Sequence, residues 1–174
     1  MGLQIEPLNP PDSFHLNAAV GWLELGNLAE AKAELELVDP EYHDYPEILE
    51  VRWSICAEEQ KWEEGLQIAR ALLEGAPESP AGWLHQAYAL RRVADGSVKQ
   101  AWTALLPAFD KFPKEPIISY NLSCYACQMK QLDAARVWFK RAIVIGGKKR
   151  KDTIKRMALE DSDLQPLWEE IKQC

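Results

Sequence analysis

Four segments of this chain share one internal spacing, and that repetition limits the fold more than any other feature. Aligned on a small residue, they put Ala31, Gly65, Ala101 and Ala135 in one column, separated by 34, 36 and 34 positions. Three residues before each stands an apolar side chain: Leu28, Trp62, Val98 and Leu132. Four residues after come Leu35, Ala69, Leu105 and Phe139, and seven after come Val38, Leu72, Ala108 and Ala142. Offsets of three, four and seven fall on one face of a helix, whose period is about 3.6 residues. The small residue lets a second helix approach where a larger side chain would hold it away.

The first half of each segment is also helical in pattern: Ala18, Ala19 and Trp22, then Leu49, Trp53 and Cys56, then Trp83, Ala87 and Leu90. Turn signals separate the halves, "LGN" at 25–27, a plain "EEQKW" at 58–62 and "ADGS" at 94–97, where a two-residue insertion accounts for the longer spacing. Prolines punctuate the units at Asp39-Pro40, at Pro77 to Pro80, and at Pro113 and Pro116. Proline ends one helix and favours the start of the next.

This pattern resembles the tetratricopeptide repeat (TPR), a helix–turn–helix unit of about 34 residues. Trp83, Ala87, Leu90, Ala101, Leu105, Ala108 and Pro113 match its consensus in the third unit, and Leu122, Ser123, Ala126, Ala135, Phe139 and Ala142 in the fourth. The resemblance covers residues 12–145. It departs in the second unit, where Arg52 and Trp53 stand at places usually Leu and a small residue, and in the first, whose second helix meets Pro40 three residues early. It implies an all-α fold, a right-handed α-solenoid of antiparallel helix hairpins at about 12–40, 46–79, 80–115 and 116–145. Residues 1–11 are then an N-terminal arm and 146–174 a C-terminal cap.

The cap follows from physics as well as from likeness. A stack of hairpins ends in an apolar face that must be covered. Gly146-Gly147 is a helix stop, Ile154, Met157 and Ala158 form a short apolar face, and Ser162 with Gln165 predicts a capping box for a last helix carrying Leu164, Leu167, Trp168 and Ile171. The stretch "ALEDSDLQPLWEEI" also resembles the tail after the last repeat in many bacterial members, which implies a bacterial source.

Cys124 and Cys127 form a CxxC inside the fourth segment. Redox pairs of this kind sit at a helix N-terminus, where the thiol pKa is lowered, whereas these fall in mid-helix. A structural zinc site needs four ligands, and no matching second pair exists; His85 is the one residue the fold offers as a further ligand. The two cysteines and Cys56 are therefore read as compact packing residues. The same reading covers Trp22, Trp62, Trp83, Trp138 and Trp168 at or beside packing positions. His15, His43 and His85 are scattered, and neither a serine nucleophile elbow nor a glycine-rich phosphate loop is present, so the chain reads as no enzyme, with no cofactor and no metal.

A formal net charge of −7 disfavours nucleic acid and anionic membrane as partners. The basic run "KKRK" at 148–151, with Lys155 and Arg156, is then a solvated face of the cap. No apolar run reaches spanning length, the start lacks a signal-peptide pattern, and Glu6 spoils a myristoylation signal after Gly2. Four cysteines in 174 residues make no disulfide framework, and a cytoplasmic location is expected.

The resemblance implies that the first helix of each unit lines a concave groove for a peptide or partner helix. Its groove positions are Glu47, Glu50 and Ser54; Leu84, His85, Tyr88, Arg91 and Arg92; and Tyr120, Asn121, Cys124 and Gln128. The family's best-known groove clamps a carboxylate with Lys, Asn and Arg. Here only Asn121 fits that set, with Leu16, Val20 and Ala81 where polar residues are needed. The expected function is a protein–protein interaction adaptor, monomer or homodimer, with a small secretion-type chaperone as the alternative. A metal protein or enzyme built on Cys124, Cys127 and His85 stands last.

Overall fold

The computed structural model describes residues 7–173. Gly2 and Glu6 of the acylation reading, and Cys174, lie outside the described residues. Among the described residues nine α-helices follow one another: α1 Asp12–Glu24, α2 Leu28–Glu36, α3 Pro46–Glu58, α4 Trp62–Gly75, α5 Ala81–Leu90, α6 Val98–Lys111, α7 Pro116–Gln128, α8 Leu132–Glu160 and α9 Trp168–Gln173. Single 3-10 turns occupy Pro40–Tyr42 and Ser162–Leu167, and no strand occurs among the described residues. The chain is all-α, in two compact units, residues 1–85 and 86–174.

In residues 1–85, α1 packs on α2 and α3 on α4, while α3 also meets α1 and α2. Their shared core contains Ala19, Ala31, Leu35, Val38, Ile48, Val51 and Ile55. In residues 86–174, α7 packs on both α6 and α8, the 162–167 turn packs on α7 and α8, and α9 packs on α8. Burying each large aliphatic side chain stabilises by about 1.5–3 kcal/mol, so the aligned columns are where stability concentrates. Those columns are buried alike. Ala31, Gly65, Ala101 and Ala135 are all buried, as are Leu35, Ala69, Leu105 and Phe139, and Val38, Leu72, Ala108 and Ala142. Leu28, Trp62, Val98 and Leu132 are all half-buried.

The turns repeat too. Between α1 and α2, Gly26 has φ 75° and the Asn27 N–H donates to the Trp22 carbonyl at 2.9 Å. Between α3 and α4, Gln60 has φ 57° and Lys61 donates to Cys56 at 2.8 Å. Between α7 and α8, Lys130 has φ 61° and Gln131 donates to Ala126 at 2.9 Å. A left-handed residue closing such a bond satisfies carbonyls left open at a helix C-terminus. Only the first of the three turns uses glycine for it. The α5–α6 connection, lengthened by the insertion, ends instead on Ser97, whose hydroxyl accepts the Gln100 N–H at 3.2 Å as an N-cap.

The C-terminal segment departs from expectation in detail. Gly147 (φ 58°, ψ −168°) breaks α8 in conformational space that only glycine enters readily. A Cβ on Gly146 would lie 2.5 Å from the Ile154 side chain, so the pair permits a close return of the chain rather than only a stop. Ile154 and Ala158 are buried, but Met157 is exposed. The N-cap of the 162–167 turn is Asp161, not Ser162: its carboxylate accepts the Asp163 N–H at 2.9 Å. Pro166 lies within that turn, and a regular helix resumes only at Trp168. Leu164, Leu167 and Ile171 are buried as expected, and the Trp168 indole N–H donates to the Ala158 carbonyl at 2.8 Å.

Candidate functional site

The expected groove residues divide between the two units. In residues 1–85, Glu47 and Glu50 are exposed on α3, one turn apart, with no cationic partner among the described residues. Partial loss of water, and then the charge of Glu47, push the Glu50 carboxyl above its usual range. Ser54 is half-buried and its hydroxyl donates to the Glu50 carbonyl at 2.9 Å. His85 stacks flat on Trp53, with ring centroids 3.8 Å apart and an interplanar angle of 13°. Burial pushes the imidazole down to about 4, so the ring is neutral near pH 7. Leu84 beside it is half-buried.

In residues 86–174, exposed Tyr88 and half-buried Arg92 form one pair. The Arg92 guanidinium lies 3.5 Å from the Tyr88 ring centre and donates to the Tyr88 carbonyl at 2.8 Å. Arg91 has a different partner. It donates to Asp163 Oδ2 at 2.5 Å and approaches the Tyr125 ring, 5.5 Å from its centre. Burial opposes the charge of Arg91, and the Asp163 hydrogen bond and carboxylate outweigh that cost.

Tyr120 and Cys124 are not open to a ligand. Only 5% of Tyr120 and 3% of Cys124 is exposed. The Tyr120 hydroxyl donates to Asp161 Oδ2 at 2.9 Å, and the Cys124 thiol lies 3.5 Å from the same oxygen. At Arg91, Tyr120 and Cys124 the position expected for a partner is taken by the chain's own 161–163 segment. Asn121 is half-buried and Gln128 exposed.

The CxxC can be judged on this geometry. Cys56, Cys124 and Cys127 are free and buried. Burial, then the charges of Asp161 and Asp163, push the Cys124 thiol far above its ordinary value; burial chiefly pushes Cys127 and Cys56 up to about 11. A nucleophilic or metal-binding cysteine needs the opposite shift. Ligand atoms of Cys124, Asp161 and Asp163 lie within 4.8 Å of one another. Asp163 is already matched by Arg91, however, and Asp161 already accepts from Tyr120, Cys124 and the Asp163 backbone. The group forms a satisfied polar network that fastens the C-terminal segment.

Sequence reasoning passed over Asp161 and Asp163, because "EDSD" reads as a helix start and their partners lie 37 to 72 residues away. It also passed over a cavity of about 530 Å³ between α2, α3 and α4, floored by Leu35, Ile55 and Cys56. Lys32, Glu59 and Lys61 stand at this cavity, with both lysines paired to Glu59. None of the expected groove residues lines it. No helix among the described residues is long and apolar enough to cross a membrane. The chain matches no protein-family model and no curated protein.

Proposed function

We propose that the chain is a non-enzymatic TPR-like scaffold, its hairpins stacked as an α-solenoid, that binds a protein segment on the exposed faces of its first helices. One observation carries this reading: the same left-handed turn recurs at Gly26, Gln60 and Lys130, followed each time by a buried small residue at Ala31, Gly65 and Ala135. Units built on one plan stack on one another and present their first helices in series. Residues 1–85 offer Glu47, Glu50 and Ser54 as an acidic strip for a segment carrying Lys or Arg. Residues 86–174 offer the Tyr88–Arg92 pair with Gln128 and part of Asn121. Arg91, Tyr120 and Cys124 serve the C-terminal cover instead. A catalytic role is disfavoured by chemistry, since His85 is neutral and stacked and the Cys56, Cys124 and Cys127 thiols are held protonated.

The test begins with peptides selected from a displayed random library against the whole protein. Their affinity is then measured for Glu47→Lys/Glu50→Lys and for Tyr88→Ala. Binding energy concentrates in a few central residues, so at least one variant binds about 30-fold more weakly at unchanged melting temperature. Selected peptides that bind both variants as they bind wild type contradict the proposal.

A further inference from the structure

The net charge of −7 conceals a division between the two units. Residues 1–85 hold 4 basic and 17 acidic side chains, a net of −13; residues 86–174 hold 16 basic and 10 acidic, a net of +6. Half of those 16 basic residues lie between Lys140 and Arg156 on α8, where Asp152 is the one acidic residue. Lys148, Lys149 and Arg150 are all exposed, just after the break at Gly147.

The basic stretch adjoins one exposed apolar side chain and an open cavity. Val144 is 71% exposed, and with Phe139, Ile143, Leu167 and Ile171 it lines an open cavity of about 410 Å³ that Lys140 and Lys151 flank. The acidic unit has the matching chemistry. Phe14, Leu25 and Leu37 are exposed there, and Asp12, Glu24 and Glu36 neighbour them in sequence.

We propose that the basic stretch Lys140–Arg156, on both sides of the break at Gly147, docks the acidic unit, residues 1–85, of a second copy of this chain. Pairing like faces of two copies sets +6 against +6 or −13 against −13, and like-charge contact costs several kcal/mol. Setting the basic stretch of one copy on the acidic unit of another brings opposite fields together, whether the contact closes as a two-fold pair or continues from copy to copy. The occupant is favoured over nucleic acid or an anionic membrane because the −13 unit repels any polyanion brought to the chain. A second copy supplies negative charge and exposed apolar side chains at a concentration equal to the first. Its test needs only the purified chain and no selected peptide, so its failure is distinguishable from failure of the ligand-binding reading.

Sedimentation velocity of the full chain tests it, across a concentration series at about 0.02 M and about 0.5 M salt, where screening lengths differ several-fold. The expected result is self-association at low salt that weakens at least about tenfold at high salt. Lys148→Glu/Lys149→Glu/Arg150→Glu, all at exposed helix positions, is expected to be monomeric alone. Mixed with wild type it still forms heterodimers, because its acidic unit remains able to accept the wild-type basic face. Val144→Glu, a single exposed change, is expected to weaken association at an unchanged melting temperature. A protein monomeric throughout the low-salt series overturns the proposal, as does triple-variant association equal to wild type, or a variant that does not pair with wild type. A monomer that instead binds a labelled poly(U) oligonucleotide overturns it in favour of nucleic acid.

Discussion

Ser123 illustrates how much one buried polar atom fixes. It is fully buried in α7, and its hydroxyl donates to the Ala135 carbonyl on α8 at 2.8 Å. Ser123→Ala removes that donor and leaves the α8 carbonyl without it. The expected cost is about 1–2 kcal/mol, read from denaturant unfolding, whereas Ser54→Ala on the half-buried face of α3 is expected to change stability little. His85 supplies a pH dependence. Its ring titrates at about 4 in the folded chain against 6.5 ordinarily. Between those values the unfolded chain binds more protons, so the stability contributed above pH 6.5 is lost as pH falls toward 4. From pH 7 to pH 5, wild type is expected to lose about 2 kcal/mol more than His85→Gln. Equal slopes for the two proteins would contradict a buried neutral ring. At this scale the sequence was least legible. Ser123 stood in the consensus, but nothing local pointed to its acceptor, and Tyr120 and Cys124 read as groove residues because Asp161 lies 41 and 37 residues away.

Helices and their turns were more legible, because their signals are local. Apolar offsets of three, four and seven marked each helix pair; the small-residue column and those four and seven after it are buried in the structure, and the one three before it is half-buried. Gly65 stands alone there as a glycine among alanines. A Cβ added to it would meet Trp53 and Cys56 atoms at 3.6–3.8 Å, which is ordinary contact. Gly65→Ala is therefore expected to stabilise α4 by about 0.5–1 kcal/mol, while Gly65→Leu overpacks the same contact and destabilises by about 1–3 kcal/mol. Lys130 was not legible as a left-handed residue, since lysine has no preference for that region. Lys130→Gly removes its strain at the cost of chain freedom, and a gain of up to about 1 kcal/mol is expected. A loss of stability in Lys130→Gly would mean that its side chain supports the turn. The break in α8 was half legible: two glycines promised an end, but the close return of Ile154 onto Gly146 depends on tertiary packing.

At the scale of the whole molecule, the C-terminal segment completes the second unit. Ile154, Ala158, Leu164, Leu167 and Ile171 are buried, and Asp161 and Asp163 tie the segment to Tyr120 and Arg91. Removing residues 147–174 strips that cover from α7 and α8. The expected result is loss of the cooperative transition of residues 86–174 and association through exposed apolar surface, checked by calorimetry and light scattering. Retention of a full, cooperative transition would make the segment an appendage rather than part of the unit. The burial of Leu164, Leu167 and Ile171 was legible, because their spacing marks an apolar face that must pack on something. The segment's route across the expected ligand surface was not, because that depends on polar contacts between distant parts of the chain. The division of charge was equally hidden from a total of −7, and it emerges only once the chain is divided at residue 85. The central claim is that partner segments bind the first-helix faces. It is tested most directly by hydrogen–deuterium exchange of the whole protein with and without a library-selected peptide. The account predicts added protection in residues 46–58 or 81–92 and none in 132–160; protection confined to 132–160, with α3 and α5 unchanged, would contradict it.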